Sequence, residues 1–282
     1  MSAQTLEATP AEPALGEDDA AQRRFEAQRR YLAWRRKLLP FAAIVLLLVV
    51  WEAGVAIFHV RPFIAPAPSA VAALLVKKIG LLLQNLAPTA VEAVSGFVLG
   101  NLAAIMIATV FVYRRTVEEA FFPIAVMVHT IPVMAYAPIL VLLLGNGIEA
   151  KIAIAAMICF FPTLVNMTRG LRSVTPQQME LMRILSASPR EIFFTLRLKN
   201  ALPYLFSALK IAAATSVIGA IVGEWIGSNT GIGALIIQST YNFDSAMLYA
   251  TVIVGSAFSV MFFLIITLIE RLVIRWQPLA AA

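Results

Sequence analysis

Charge is what this sequence most lacks. Only 13% of its 282 residues are Asp, Glu, Lys or Arg, 60% are apolar, and the mean hydropathy is +0.84. Soluble domains carry about 25% charged residues, so neither an ordinary soluble enzyme nor a wholly disordered chain fits. Cysteine occurs once, as Cys159; it has no partner for a disulfide within the chain and reads as a small apolar filler. The two histidines, His59 and His129, have no Cys or carboxylate at ligand spacing, so no metal site and no nucleophilic site is expected. No GxxxxGK[ST] stretch occurs, hence no P-loop to cradle a nucleotide. The chain is expected to bind no cofactor itself and to be no enzyme.

What is present is long apolar runs. Ala120 to Ile148 and Ser245 to Ile269 contain no charged residue, and each is long enough to cross ~30 Å of hydrocarbon at about 1.5 Å per helical residue. Four more runs join them: Leu38 to Phe58, Ala87 to Tyr113, Ile152 to Thr168 and Ala201 to Ile226. Backbone groups cannot stay unpaired in lipid, and these runs are more than twice as long as a barrel strand requires. The fold class is therefore an all-α membrane protein with six transmembrane helices.

The net charge of +6 is informative through its placement. Seventeen of the 22 Lys and Arg flank the spans on one side, against Arg61, Lys77, Lys78 and Lys151 on the other, with Lys210 inside the fifth span. By the positive-inside rule both termini are cytoplasmic, and no nucleic acid is needed to explain the cations. Residues 1–22 are too polar to offset the entropy of ordering, which predicts a disordered tail. Residues 23–37, RRFEAQRRYLAWRRK, suit a basic amphipathic helix on anionic membrane lipid. The apolar run that follows is too long for a signal peptide and reads as an uncleaved first span, opening a membrane domain over 38–276. RPFIAPAPSAVAALLVKKIGLLLQNL predicts an external loop and a separate interfacial helix before the second span. Gly96, Gly100, Gly219, Gly223 and Gly227 recur at four-residue spacing, which allows close helix approach, within the chain or at a seam with a second copy.

The cytoplasmic segment 170–199 is punctuated. Thr175, Pro176 and Gln178 spell an N-cap, a first-turn proline and a capping-box partner, and Ser188, Pro189 and Glu191 repeat the pattern. Two helices near 176–185 and 189–198 follow, broken at SASP, with a third opening near Pro203. The first offers Met179, Leu181, Met182, Ile184 and Leu185 beside Glu180 and Arg183. This is too apolar for a solvated loop, so the face is covered either by the membrane surface and the protein's own helix ends or by a separate cytoplasmic protein.

Ionisable residues inside spans are costly, which singles out Glu52, Glu92 and Glu224. Each could instead reach interfacial water or bond a neighbour. In the third span His129, Pro132 and Tyr136 recur at helical spacing on one face. With Asn166 and Thr163 on the fourth, they are candidates for lining a translocation pathway, ordinary packing being the alternative. A proton-coupled secondary transporter would use Glu92, His129 or Glu224 as relay groups, although no inverted repeat is evident.

The stretch LRSVTPQQMELMRILSASPREIFFTLRLKNALPYLFSALKIAAATSVIGAIVGEWIG resembles the cytoplasmic loop and following span of permease subunits of binding-protein-dependent ABC importers. TAVEAVSGFVLG, TIPVMAYAPILVLLLGNG and FFPTLVNMTRGLRSV extend the resemblance over roughly residues 60 to 275. It implies the type I importer fold, with a coupling helix of Glu180, Leu181, Met182, Leu185, Ser186 and Ala187 docking on a cytoplasmic ATP-binding subunit. ATP would be used by that partner, an external solute-binding protein would deliver the solute, and a second permease copy would complete a homodimer in the bacterial inner membrane. Glu224 in IVGEWIGS, where the family tends to carry an acid, would serve a gate or receptor docking. Four positions depart from the family pattern: Leu181 and Met182 replace two alanines, Ser186 replaces a glycine, and Lys199 a proline. These departures resemble the nitrate, sulfonate and taurine branch that includes riboflavin and thiamine-precursor permeases. A pyrimidine or riboflavin-like solute is thus expected ahead of a sulfonate, taurine or nitrate.

Overall fold

The computed structural model describes residues 15–275, and within them the regular structure is entirely helical. The chain divides into two units, residues 1–60 and 61–282. The first contains one helix, α1 (Leu15–Ile57), whose apolar stretch Leu38–Ile57 has no fully buried residue. Helix begins inside the stretch expected to be disordered; residues 1–14 of that stretch lie outside the described residues.

In the second unit α2 (Pro68–Tyr113) is one 46-residue helix. The interfacial helix and the second span are therefore continuous, a correction to the sequence expectation. Pro88 lies inside this helix; it removes one ladder donor, which a long packed helix tolerates. At about 1.5 Å per residue α2 is roughly 70 Å long, more than twice the hydrocarbon thickness. The third apolar run is not one straight span: α3 (Arg115–Thr130) and α4 (Val133–Leu144) meet at a 101° bend. Pro132 explains the break, because it disfavours helix at Ile131 and precedes α4 as its N-cap. Among the described residues five helices are long and apolar enough to cross a membrane, six if the bent pair counts as one span.

α5 (Ile148–Arg172) is the central helix of this unit, with α2 and α8 (Leu198–Trp225) packed along it. The glycine stripes face inward here. A Cβ on Gly96 would come within 2.5 Å of the Ala155 Cβ, and one on Gly219 within 2.7 Å of the Ala155 Cα. These glycines serve helix packing within the chain. α6 (Pro176–Ile184) and α7 (Pro189–Glu191) carry both expected capping boxes. No third helix opens at Pro203, however. α7 runs through a π-helical turn, Ile192–Arg197, directly into α8, and Pro203 sits inside α8. α9 (Ile232–Tyr241) and α10 (Ser245–Val273) complete the unit. Lys210 of α8, expected as a lone cation in a span, pairs with Glu270 of α10 at 2.9 Å.

Candidate functional site

Three places in the second unit carry chemistry. The first is α6. Thr175 caps its N-terminus through the Gln178 N–H, and the Gln178 side chain accepts from the Thr175 N–H at 3.1 Å. At the other end the Ser186 N–H donates to the Arg183 carbonyl at 2.9 Å and the Ala187 N–H to the Met182 carbonyl at 3.0 Å. That closure requires a left-handed residue, and Ser186 supplies it at φ +52° without being glycine. A helix pinned at both ends does not turn its apolar side inward: Leu181, Ile184 and Leu185 are 56%, 75% and 66% exposed, and Glu180 is exposed beside them. Met182 and Ala187 are half-buried. Leu181, Ile184 and Leu185 therefore do not fold back on the protein's own helix ends, while Met179 is half-buried like Met182.

The second place is a cavity of about 460 Å³ at the α3–α4 break. His129, Pro132 and Tyr136 all line it, together with Met157, Phe160 and Phe161 of α5 and Thr215 of α8. His129 and Tyr136 reach it from two helices across the bend, so they do not share one helix face as their spacing suggests. The His129 ring stacks on Phe161, centroids 4.2 Å apart and planes 14° from parallel. The lining is thus flat, aromatic and apolar, with an imidazole, a phenol and the Thr215 hydroxyl as polar handles. Asn166 is not among the lining residues, and its amide donates to the Pro162 carbonyl of its own helix at 2.8 Å. Thr163 is separated from it as well, donating to Asn101 on α2 at 2.5 Å.

The third place is a buried polar cluster. Glu224 is 1% exposed and Glu92 2%, so neither reaches water at the end of its span. Lys151, expected in an external loop, is 8% exposed in α5. Its ammonium lies 3.3 Å from Glu92 and donates to Ser228 at 2.9 Å, while the Glu92 and Glu224 carboxyls are neighbours. Glu92 Oε2 has no hydrogen-bond partner among the described residues.

The cluster also caps α9 from outside. Helix N-termini leave their first N–H groups unpaired, and here the Gly231 N–H donates to Asn85 Oδ1 at 3.0 Å, the Ile232 N–H to Thr89 Oγ1 at 2.9 Å, and the Gly233 N–H to Glu224 Oε2 at 2.6 Å. Thr89 Oγ1 in turn donates to Glu224 Oε1 at 2.6 Å. Gly231 sits at φ +112° with its backbone against the Glu224 carboxyl, where a Cβ has no room. Glu224 was legible as a lone acid in a span. Asn85, Thr89 and Lys151 were not, because their partners lie far away in sequence.

Comparison with known proteins adds to this geometry. A family model described as "Binding-protein-dependent transport system inner membrane component" matches residues 100–276. The chain is 31% identical over 241 residues to the formylaminopyrimidine transport permease protein ThiX of Halalkalibacterium halodurans, covering 85% of this chain and 96% of that protein. It is also 31% identical over 246 residues to the riboflavin transport system permease protein RibX of Chloroflexus aurantiacus, covering 86% and 91%. Among solved structures, the inward-facing MetNI methionine ABC transporter is similar at a TM-score of 0.57 and 20% identity, over 68% of this chain and 94% of that one. That likeness concerns the fold.

Proposed function

The chain belongs to the inner-membrane components of binding-protein-dependent transport systems, and from that premise we propose how its parts divide the work. It is a multi-pass permease subunit of an ATP-driven importer, in the branch that includes sulfonate and taurine permeases, and ATP is used by a partner subunit. In our reading the spans number six, both termini face the cytoplasm, and two copies of the chain form the membrane part of the complex. α6 is the coupling helix.

One observation carries this reading: a helix capped at both ends that leaves Leu181, Ile184 and Leu185 exposed next to Glu180. Exposed apolar surface on a fixed helix is what a docking partner would bury. The ATP-binding subunit is the partner that the family provides, with the external solute-binding protein on the opposite side. Closure of the ATPases would act on α6 and pass through the π-helical turn into α8, which runs without a break to Glu224 and the cap of α9. Glu224 then holds the outer mouth rather than contacting a receptor directly, since it is buried.

The solute fits the same reading. The stacked His129 and Phe161, with Tyr136 and Thr215 as hydrogen-bonding groups, suit a small flat heterocycle, a pyrimidine or flavin ring, better than a sulfonate, taurine or nitrate anion, for which the cavity offers no Lys or Arg. A proton-coupled secondary carrier using Glu92, His129 or Glu224 draws no support from the relatives, which are permease proteins of transport systems for formylaminopyrimidine and riboflavin. To test the coupling assignment, Leu185→Asp is introduced and the ATP-binding subunit is copurified. A charge placed in a dry contact costs several kcal/mol, so the subunit should be lost while membrane abundance holds. Retained ATPase with intact uptake would remove α6 from this role.

A further inference from the structure

The cavity at the helix break shares a wall, Ala125 and Phe160, with a second hollow between α2, α3 and α5. This one is wholly apolar and about 380 Å³ in volume. Phe111 and Leu164 form its buried floor, and Val110, Phe121 and Ile124 its exposed walls. Water gains nothing there, whereas a hydrocarbon chain would fit well. At ~30 Å³ each, about the share of a liquid water molecule, on the order of ten methylene groups would fill it.

At one end of the groove lies the α2–α3 elbow, where Arg114 and Arg115 are exposed. The nearby carboxylates are occupied: Glu118 holds Arg172 of α5, and Glu119 holds Arg115 at 2.8 Å. Arg114 makes no side-chain hydrogen bond or ion pair among the described residues. Its backbone borders the groove, the N–H donating to the Val110 carbonyl at 2.8 Å and the carbonyl accepting from the Val117 N–H at 3.0 Å. Val110 and Val117 both line the groove. An exposed, unspent arginine whose backbone borders an apolar groove is complementary to a long apolar chain with an anionic head.

We propose that this groove is a binding site for an anionic phospholipid, its acyl chain lying on Phe111 and Phe121 and its phosphate on Arg114. The site is independent of the solute and of the coupling role of α6. The intact importer is placed in nanodiscs containing either phosphatidylglycerol or phosphatidylcholine with a photoactivatable acyl chain, and labelled peptides are mapped by mass spectrometry. Phosphatidylglycerol should label Phe121 and Ile124 several-fold more than phosphatidylcholine does. Arg114→Gln should bring the two lipids to equal labelling, and Val110→Trp, which fills the groove, should abolish both. Basal ATP hydrolysis reports whether each variant importer is assembled. Equal labelling by the two lipids in the unmodified protein overturns the proposal, since the groove would then be hydrocarbon-facing surface without headgroup recognition. Absence of label, with these residues crosslinking instead to a second copy or to α1, overturns it as well.

Discussion

Removing the Glu224 carboxylate should loosen the start of α9 before it affects anything else. Glu224→Ala takes away the acceptor of the Gly233 N–H at 2.6 Å and that of the Thr89 hydroxyl at 2.6 Å. A buried donor left without its acceptor costs about 1–3 kcal/mol. The Gly233 N–H has no substitute acceptor and bears that whole loss. The Thr89 hydroxyl retains the Asn85 carbonyl at 3.2 Å, so its loss is nearer ~1 kcal/mol. Lys151 is not stranded, because Glu92 stays beside it. The total is roughly 3 kcal/mol, a change of roughly a hundredfold in the local opening equilibrium. Hydrogen exchange at residues 231–235 in the assembled importer should speed up by about that factor, while amides in the middle of α5 change little. Glu224→Gln keeps one acceptor oxygen for the Gly233 N–H and turns its amide toward Thr89, which can accept, so it should fall between wild type and alanine. If alanine speeds exchange by less than about threefold, ~0.6 kcal/mol, the external cap is not what holds α9.

The remaining predictions concern the cavity, the end of α6 and the orientation. Tyr136→Ala should change solute uptake by the importer without changing copurification of the ATP-binding subunit; unchanged uptake in Tyr136→Ala, His129→Ala and Pro132→Ala alike would return these residues to ordinary packing. Ser186→Gly should stabilise the end of α6 by up to ~1 kcal/mol, because φ +52° costs glycine little, and slower proteolysis between residues 183 and 190 would register it. A reporter joined after Ala282 should read cytoplasmic and one near Lys77 external; a cytoplasmic signal at Lys77 would remove the six-span arrangement.

Much of the fold was legible because lipid narrows the choices. Charge-free length implies a helix once backbone pairing is compulsory, and the capping residues of 175–178 and 188–191 are local signals that need no tertiary context. Two of the errors share one cause. Pro88 and Pro203 look like boundaries in sequence, yet both sit inside long helices whose packing outweighs one missing hydrogen bond. Pro132 looks the same and does break its helix, into a 101° bend. Prolines are therefore read correctly only when the helices around them are known.

The site residues divide along the same line. Ser186 and the apolar run of α6 were readable because a helix end and a helix face are properties of adjacent residues. His129, Pro132 and Tyr136 were picked out by helical periodicity, and they meet in one cavity because the break at Pro132 folds the two helices around it. The polar cluster was only half visible. A carboxylate in an apolar run announces that something must satisfy it, but not what. For Glu224 the answer is a hydroxyl 135 positions away and the backbone of a helix nine positions on, and for Glu92 it is a lysine that sequence placed in a loop. A buried acid satisfied by partners on another element ties the two elements together. Here it ties the C-terminal end of α8 to the start of α9, at the far end of the helix that begins beside α6. On the proposed coupling role of α6, a motion applied there would reach, within one chain, the residues that cap the start of α9.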